Sequence, residues 1–286
     1  MRDFQFHTPA SLPEALALLD EHGEDARLFA GGTALVIMLK QGLLRAEHMI
    51  SLARLPGLDE IRAESDGLHI GALARHRDVE TSPLVREVAP FVAEVYSRVA
   101  TVRIRNMATV GGGLAHADPS QDPPLGLLVL DAQVNLVSAN GPRRVPLRDF
   151  FSDYYETVIQ PTEILTEVIV PPHGAVNTTY LKFLPRTQDD YATVAVAALA
   201  QVGDGICRGV RVALGAAGPT PIRATAVEQA LEGQPVSPEV IRAAANAVAA
   251  LVDPLDDFRG TAEYKRDMAV VFTRRALQRV LGGVAA

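Results

Sequence analysis

Two stretches of the chain combine residue types that could hold a phosphate. The first, Gly31-Gly32-Thr33, joins a short apolar run to a longer, helix-compatible one with almost no side chain between them. Such a strand-to-helix joint lets backbone amides approach a bulky anion, the helix start adds unpaired N–H donors, and Thr33 can donate a hydroxyl. Read alone, the same residues more often make a tight turn. The second stretch, residues 106–124, carries Gly111, Gly112 and Gly113 in a row after Thr109-Val110, then a polar loop with His116, Asp118, Ser120 and Asp122. Neither stretch fits G-x-G-x-x-G or G-x-x-x-x-G-K-[ST], so a Rossmann dinucleotide site and a P-loop are poorly supported. Two separate glycine joints point instead to a pyrophosphate gripped from two sides.

Other chemically suggestive residues read as ordinary ones. His116 and Asp118 form an H-x-D pair without a third or fourth metal ligand at useful spacing, so no metal is expected on this chain. Asp189 and Asp190 are adjacent in an extended segment, point to opposite sides, and read as loop polarity facing Arg186. His69 and His76 read as surface or partly buried polar residues. Arg103 and Arg105 flank the second glycine stretch and read as solvated or ion-paired, with a phosphate contact as the alternative. The single cysteine, Cys207, sits beside Ile206 in an expected strand and reads as a small buried hydrophobe. One thiol excludes an internal disulfide and any thiolate-held zinc or iron–sulfur cluster built from this chain alone. No Ser-His-Asp arrangement is recognisable.

The chain that must position these groups has 286 residues, 48% hydrophobic and 21% charged, which suits one to three globular domains rather than extensive disorder. A formal charge of −7 argues against a general nucleic-acid binder. The apolar runs "PPLGLLVLDA" and "ATVAVAALAQV" stop well short of the roughly 20 residues a bilayer span needs. The N-terminus shows a helix-start pattern, Ser11 to Glu14, where a signal peptide would carry its apolar core, so cytoplasmic residence is the default expectation.

Periodicity predicts a capped amphipathic helix from Ser11 to about Gly23, a strand over 27–30, a helix in "ALVIMLK" and a strand over 48–52. Hairpins are expected around Ser65-Asp66-Gly67 and Asn140-Gly141, with a helical region from Val79 to Tyr96 interrupted at Ser82-Pro83 and a helix over 124–130. "EILTEVIV" reads as a strand ending before Pro171-Pro172, the best boundary in the chain. Beyond it come three strands, with a turn at Gly203-Asp204-Gly205, and then helices over 223–232, 238–251 and 261–281. The last is expected to present Tyr264, Met268, Phe272 and Val280 on one face. The divisions predicted are residues 1–56, 57–173 and 174–286.

At "AGGTAL" (30–35), "RNMATVGGGLAHADPSQDPP" (105–124) and "YLKFLPRTQDDYATVAVA" (180–197) the sequence resembles the FAD-binding medium subunit of molybdenum hydroxylases, the family of the carbon monoxide dehydrogenase medium subunit and the xanthine dehydrogenase flavin domain. The element order matches along nearly the whole chain. The resemblance implies an α+β architecture: a two-subdomain FAD-binding fold of the vanillyl-alcohol oxidase and p-cresol methylhydroxylase type, followed by a C-terminal domain of a three-stranded antiparallel sheet with helices.

Carried onto this sequence, the family's first motif implies pyrophosphate contacts from Leu28, Phe29, Ala30, Gly31, Gly32, Thr33, Ala34 and Leu35. The second implies contacts from Thr109, Val110, Gly111, Gly112 and Gly113. Val99 and Ala100 match small residues lining the cofactor, Asp122 an aspartate touching its polar groups, and Leu165 a leucine near the ring. Lys182 matches a lysine whose charge would stabilise an anionic reduced ring, and Tyr191 a tyrosine that stacks on the ring or gates it. The family usually has Asn where this chain has Gly113, which puts a side-chain contact there in doubt.

The function so implied is that of a FAD-binding electron-transfer subunit of a heterotrimeric molybdenum hydroxylase, assembled as a dimer of heterotrimers. A large subunit would hold the molybdopterin cofactor, and a small subunit two [2Fe-2S] clusters. Electrons would pass from those clusters through FAD to an external acceptor, with no catalytic acid or base supplied by this chain. Two alternatives stay open from sequence: a self-sufficient FAD-dependent oxidoreductase of the same cofactor-binding fold, and a cofactor-free assembly scaffold.

Overall fold

The computed structural model describes residues 3–184, 186–187 and 189–282. Its backbone is organised as three main sheets, each covered by helices, in chain order.

The N-terminal layer holds β1 (Gln5–His7), α1 (Leu12–His22), β2 (Ala26–Phe29), α2 (Leu35–Gln41) and β3 (His48–Ser51). Its sheet is parallel, in the order β1-β3-β2. Helix α1 starts as the sequence predicts, with the Ser11 hydroxyl accepting from the Glu14 amide at 3.3 Å and the Glu14 carboxylate accepting from the Ala10 amide at 2.7 Å. Its Ala15, Leu16 and Leu19 pack on Ala26 and Ile50 of the sheet.

The middle layer begins with the hairpin β4 (Ile61–Glu64) and β5 (Gly67–Gly71), then a run of short helices, α3 (His76–Thr81), α4 (Pro83–Val88), α5 (Pro90–Ser97), α6 (Val102–Arg105), α7 (Val110–His116) and α8 (Pro123–Val129). The helical run breaks at Ser82, whose hydroxyl caps α4 through the Val85 amide. Strands β6 (Gln133–Ser138), β7 (Gly141–Pro146), β8 (Phe151–Asp153), β9 (Glu156–Thr157) and β10 (Ile164–Val170) follow. The five-stranded sheet β4-β5-β10-β6-β7 is antiparallel throughout, and its core, from Leu68 to Phe150, buries the α5, α7 and α8 faces.

The C-terminal layer is an antiparallel sheet of β11 (Asn177–Phe183), β12 (Val194–Gly203), β13 (Ile206–Gly215) and β14 (Ile222–Arg223), covered by α9 (Thr225–Leu231), α10 (Pro238–Asn246) and α11 (Ala262–Gly282). The sequence predicts three strands here. The fourth, β14, is two residues long and has no periodicity to read. Cys207 is buried in this core, as expected. The face assigned to the last helix is corrected in part: Val280 is buried, and Met268 and Phe272 pack against the same core, partly buried. The buried stripe of α11 runs through Lys265, Ala269, Thr273, Ala276 and Val280, whereas Tyr264 is 43% exposed. Tyr264 and Phe272 pack against the Phe183 ring at the edge of the sheet. Among the described residues no helix is long and apolar enough to cross a membrane.

Candidate functional site

The two glycine bends touch. Gly31 lies against the turn before α7, so closely that a Cβ on it would fall 2.0 Å from the Met107 carbonyl oxygen. A Cβ on Gly112 would reach the Ala30 side chain at 3.9 Å. The second bend is itself pinned by segment 72–76, which runs antiparallel beside it. The Val110 amide donates to the Ala74 carbonyl at 2.9 Å, the Gly111 amide to Ala72 at 2.8 Å, and the His76 amide to Ala108 at 2.9 Å. Gly111 packs on Ala72 so tightly that a Cβ there would lie 2.5 Å from the Ala72 methyl.

The two bends differ in what they offer an anion. The amides of Val110, Gly111 and Gly113 are all spent on backbone carbonyls, and that of Gly112 on the Thr109 hydroxyl at 3.3 Å. The second bend therefore offers no free amide among these four, only the Thr109 hydroxyl and a surface without side chains. At the first bend, the amides of Gly31, Gly32 and Thr33 donate to no group among the described residues. They form a short row of unpaired donors, the arrangement that accepts a phosphate. Gly32 holds φ +71°, the left-handed region, and the Phe29 ring covers the space its side chain would take, 2.8 Å away. Leu28 and Phe29 close β2 half-buried, Ala34 is the N-cap of α2 without a side-chain cap, and Leu35 begins that helix.

A second cluster stands around Asp122. The prolines opening α8 remove two amides that would otherwise compete for this carboxylate. Its oxygens instead meet the Tyr180 hydroxyl and the Lys182 ammonium, the latter at 2.9 Å. Tyr180 and Lys182 are alternate residues of β11 and so share a face. Asp122 is 3% exposed, and burial pushes its pKa up while Lys182, Tyr180 and Arg98 pull it down. Burial, reinforced by Asp122, raises the Tyr180 phenol well above its usual range, so its hydroxyl keeps its proton and donates. Lys182 also donates to the Arg98 carbonyl at 3.1 Å. Its charge is thus neutralised by a buried carboxylate, a partner that sequence reading of a lysine beside a ring omits.

Val99 and Ala100 follow Arg98 in a bend where Ala100 takes φ 37°. Arg105 holds that bend, donating to the Val99 carbonyl at 2.7 Å and the Ala100 carbonyl at 2.9 Å, with its Nε 2.8 Å from Glu80. The ion-paired reading of Arg105 is the one the fold adopts. Leu165, 6% exposed on β10, shares a core with Val110 and Leu114 of α7. Tyr191 lies on the rim, 44% exposed, with the Arg259 guanidinium 5.8 Å from its ring. Burial, and then the Asp118 carboxylate, raise both the Tyr191 and Tyr155 phenols.

Several surroundings of the polar residues were not expected. His76 is 4% exposed rather than superficial, its Nδ1 has no partner, and burial lowers its pKa to about 4. His69 is likewise buried, between Asp66 at 2.8 Å and Glu167 at 3.1 Å. Gln121 donates to the Gly113 carbonyl at 2.9 Å, and its own amide oxygen lies 3.1 Å from where a Gly113 Cβ would be. A carboxamide therefore stands beside Gly113 although that residue has none. Only Tyr180 carried a readable signal, its two-residue spacing from Lys182. Asp190, as expected, faces Arg186 at 3.6 Å.

Residues 2–173 match the family model described as FAD binding domain in molybdopterin dehydrogenase, and residues 179–280 match the CO dehydrogenase flavoprotein C-terminal domain. The chain is 35% identical over 274 residues to the carbon monoxide dehydrogenase medium chain of Hydrogenophaga pseudoflava, covering 96% of each. It is 34% identical over 281 residues to the 6-hydroxypseudooxynicotine dehydrogenase complex subunit alpha of Paenarthrobacter nicotinovorans, covering 97% of this chain and 94% of that one. A solved carbon monoxide dehydrogenase from Hydrogenophaga pseudoflava, lacking the Mo-pyranopterin moiety of its cofactor, superposes with a TM-score of 0.95 at 37% identity over 99% of both chains. The chain belongs to the family of FAD-binding medium subunits of molybdopterin-containing dehydrogenases, and its cofactor is FAD.

Proposed function

We propose that this chain is the FAD-binding electron-transfer subunit of a cytoplasmic heterotrimeric molybdenum hydroxylase. A large molybdopterin subunit and a small iron–sulfur subunit would be its partners, two such trimers pairing in the assembly. The observation that carries the reading is the contact between the two bends: the unpaired amides of Gly31, Gly32 and Thr33 belong to a bend that packs against Met107 and Ala108 and lies beside Gly112, which Thr109 caps. This fits a diphosphate, because anionic oxygens need donors and the close approach of backbone that glycine permits. When bound, FAD takes up electrons singly and releases one or two.

The chain's own residues bind, orient and shield. The row of amides would hold the pyrophosphate from one side, and the Thr109 hydroxyl from the other. Ala30, Ala34, Leu35, Val99, Ala100 and Leu165 would line the cofactor with apolar surface. Asp122, held by Tyr180 and Lys182, presents a fixed, water-poor polar group whose net charge is close to zero. Tyr191 and Arg259 stand at the exposed rim, where an acceptor would approach. The divisions 1–56, 57–173 and 174–286 would then be two halves of the cofactor clamp and a cover.

The test is purification of the untagged complex from its native source. One FAD per chain, released on denaturation, should accompany iron, molybdenum and two further chains. Addition of the complex's reducing substrate should bleach the flavin band through those partners. A chain that purifies alone, carries FAD and turns over substrate unaided would support the self-sufficient oxidoreductase instead. A chain without FAD would overturn both.

A further inference from the structure

Three histidines from three elements meet at one end of the N-terminal layer. In the parallel pairing of β1 with β3, Gln5 stands opposite His48, so His7, two residues on from Gln5, points to the same side of the sheet as His48. Ala26, paired with His48 on its other flank, lies on that side too, and α1 covers it through Ala15, Leu16 and Leu19. His22 is the last residue of α1 and arrives over the uncovered end of the same face.

The three rings meet closely. The His7 Nε2 is 3.0 Å from the His48 Nδ1, and the His22 ring lies parallel to the His48 ring, 4° apart with centroids 3.7 Å from one another. One nitrogen from each residue falls within 4.8 Å of the other two. All three side chains are half-buried, with an apolar layer on one side and solvent on the other. The His7–His48 contact is the only hydrogen bond any of the three side chains makes, and none pairs with a carboxylate, among the described residues. Most of these imidazole nitrogens are thus taken up by no protein group among the described residues and are free to bind a cation.

We propose that His7, His22 and His48 form a site for a divalent cation of the zinc class, one that prefers imidazole nitrogen. The donor set selects the metal: three imidazoles without thiolate or carboxylate suit Zn²⁺, Ni²⁺, Cu²⁺ or Co²⁺, and do not suit Mg²⁺ or Ca²⁺. Tetrahedral ligands about 2.0–2.1 Å from zinc stand roughly 3.3 Å apart. The His7–His48 spacing is already near that value, and His22 reaches it by turning about its side-chain bonds. The fourth position falls to water from the solvent side. Such an ion would tie β1, α1 and β3 together, and so brace the layer whose β2 and α2 carry the first glycine bend. The other histidine–acid cluster, Glu64, Asp66 and His69, is different in kind, since Arg62 and Arg144 already neutralise its carboxylates.

The experiment uses the untagged, FAD-loaded full chain, stripped with chelator and titrated with Zn²⁺ against a chromophoric competitor. One saturable equivalent is expected. His7→Gln, His22→Gln and His48→Gln should each weaken it at least about tenfold, with FAD content unchanged, while Asp66→Asn leaves it intact. Zn²⁺ should raise the thermal midpoint of the wild type by a few degrees and leave that of the variants alone. In the wild type alone, zinc should shift the NMR resonances of these three imidazoles and spare His69 and His173, a reading independent of any variant. No saturable equivalent, a variant series without loss of affinity, or shifts at other histidines would overturn the site.

Discussion

The two glycine bends look alike in sequence and do opposite things. At the first, Gly31 and Gly32 leave a row of amides unpaired, and one of the two adopts a left-handed φ. At the second, all three glycines lie in a helix turn, none has positive φ, and their amides are satisfied within the protein. Glycine thus serves two separate needs: conformational freedom and free donors in one bend, close approach of chain to chain in the other. Gly31 is required because the Met107 carbonyl lies where a Cβ would be, Gly111 because the Ala72 methyl does, and Gly112 because a Cβ would lie 2.7 Å from the Thr109 hydroxyl oxygen.

That difference predicts how the bends fail. Gly31→Ala should have the largest effect, because its methyl would sit 2.0 Å from the Met107 carbonyl and force the bends apart. Loss of about 3 kcal/mol of stability, on the scale of overpacked cores, should accompany nearly complete loss of FAD. Denaturant titration together with the flavin-to-protein absorbance ratio measures both. Gly111→Ala meets the Ala72 methyl at 2.5 Å and should lose similar stability, yet retain FAD in whatever fraction folds. A matching FAD loss in the folded fraction of both variants would erase the distinction between the bends. Gly32 is a poorer probe than sequence alone suggests, since its φ and the Phe29 ring would penalise any side chain there before a phosphate did.

Lys182→Met should come next. It leaves Asp122 buried without its cation, a change that costs about 3–5 kcal/mol if the carboxylate stays charged. The carboxyl will take up a proton instead, and the sign follows. Burial already raises the folded pKa of Asp122 above its ordinary 3.8, so stability is greatest below that value and falls as pH rises towards the folded pKa. Without Lys182 the folded pKa rises further, and the decline should continue to higher pH. Thermal midpoints across the acid and neutral range report this window, and Asp122→Asn in the same background should flatten it. Because the pair is nearly neutral, the FAD reduction potential should move less than loss of a free positive charge would imply.

His76 lies under the second bend, 3.4 Å from the position of a Gly113 Cβ, and gives that region its own acid sensitivity. Its pKa falls from 6.5 to about 4 on folding, because burial disfavours the charged ring. The stabilising contribution is complete above 6.5 and is lost as pH falls through about 4, amounting to about 3 kcal/mol from the shift. His76→Phe should remove this part of the acid limb of the stability profile. An unchanged limb in the variant would show that the ring charges without penalty.

Much of the positioning frame was legible in the sequence. Ser11 and Glu14 announce α1, the Ser65-Asp66-Gly67 and Asn140-Gly141 turns sit between strands as predicted, and Ser82-Pro83 divides the helical run. These are local signals, decided by caps and turn residues within four positions of each other. The rest depended on distant partners. Nothing near Gly31 in the chain says that Met107 lies against it, and nothing near Lys182 that Asp122 neutralises it. The three-residue β1 and two-residue β14 are too short to show a period, and exist because β3 and β13 offer them an edge. The full buried stripe of α11 was not legible because Lys265, Ala269, Thr273 and Ala276, which are buried on it, carry little hydrophobic signal.

Thr109 makes the finest separation between the bends. Its hydroxyl oxygen accepts from the Gly112 amide as the cap of α7, while its proton has no acceptor among the described residues and can be donated. Thr109→Val keeps the shape and removes both roles. The lost cap costs about 1 kcal/mol of stability. If the hydroxyl is what the second bend gives to the pyrophosphate, FAD affinity should also fall by about five- to tenfold, the size of one neutral hydrogen bond. Thr109→Ser should restore both, since the hydroxyl returns without the methyl. Fluorescence titration of the deflavinated chain with FAD measures the affinity. An unchanged Kd in Thr109→Val with a lowered denaturation midpoint would assign this side of the clamp to shape alone, leaving the amides of Gly31 to Thr33 as the sole grip on the anion.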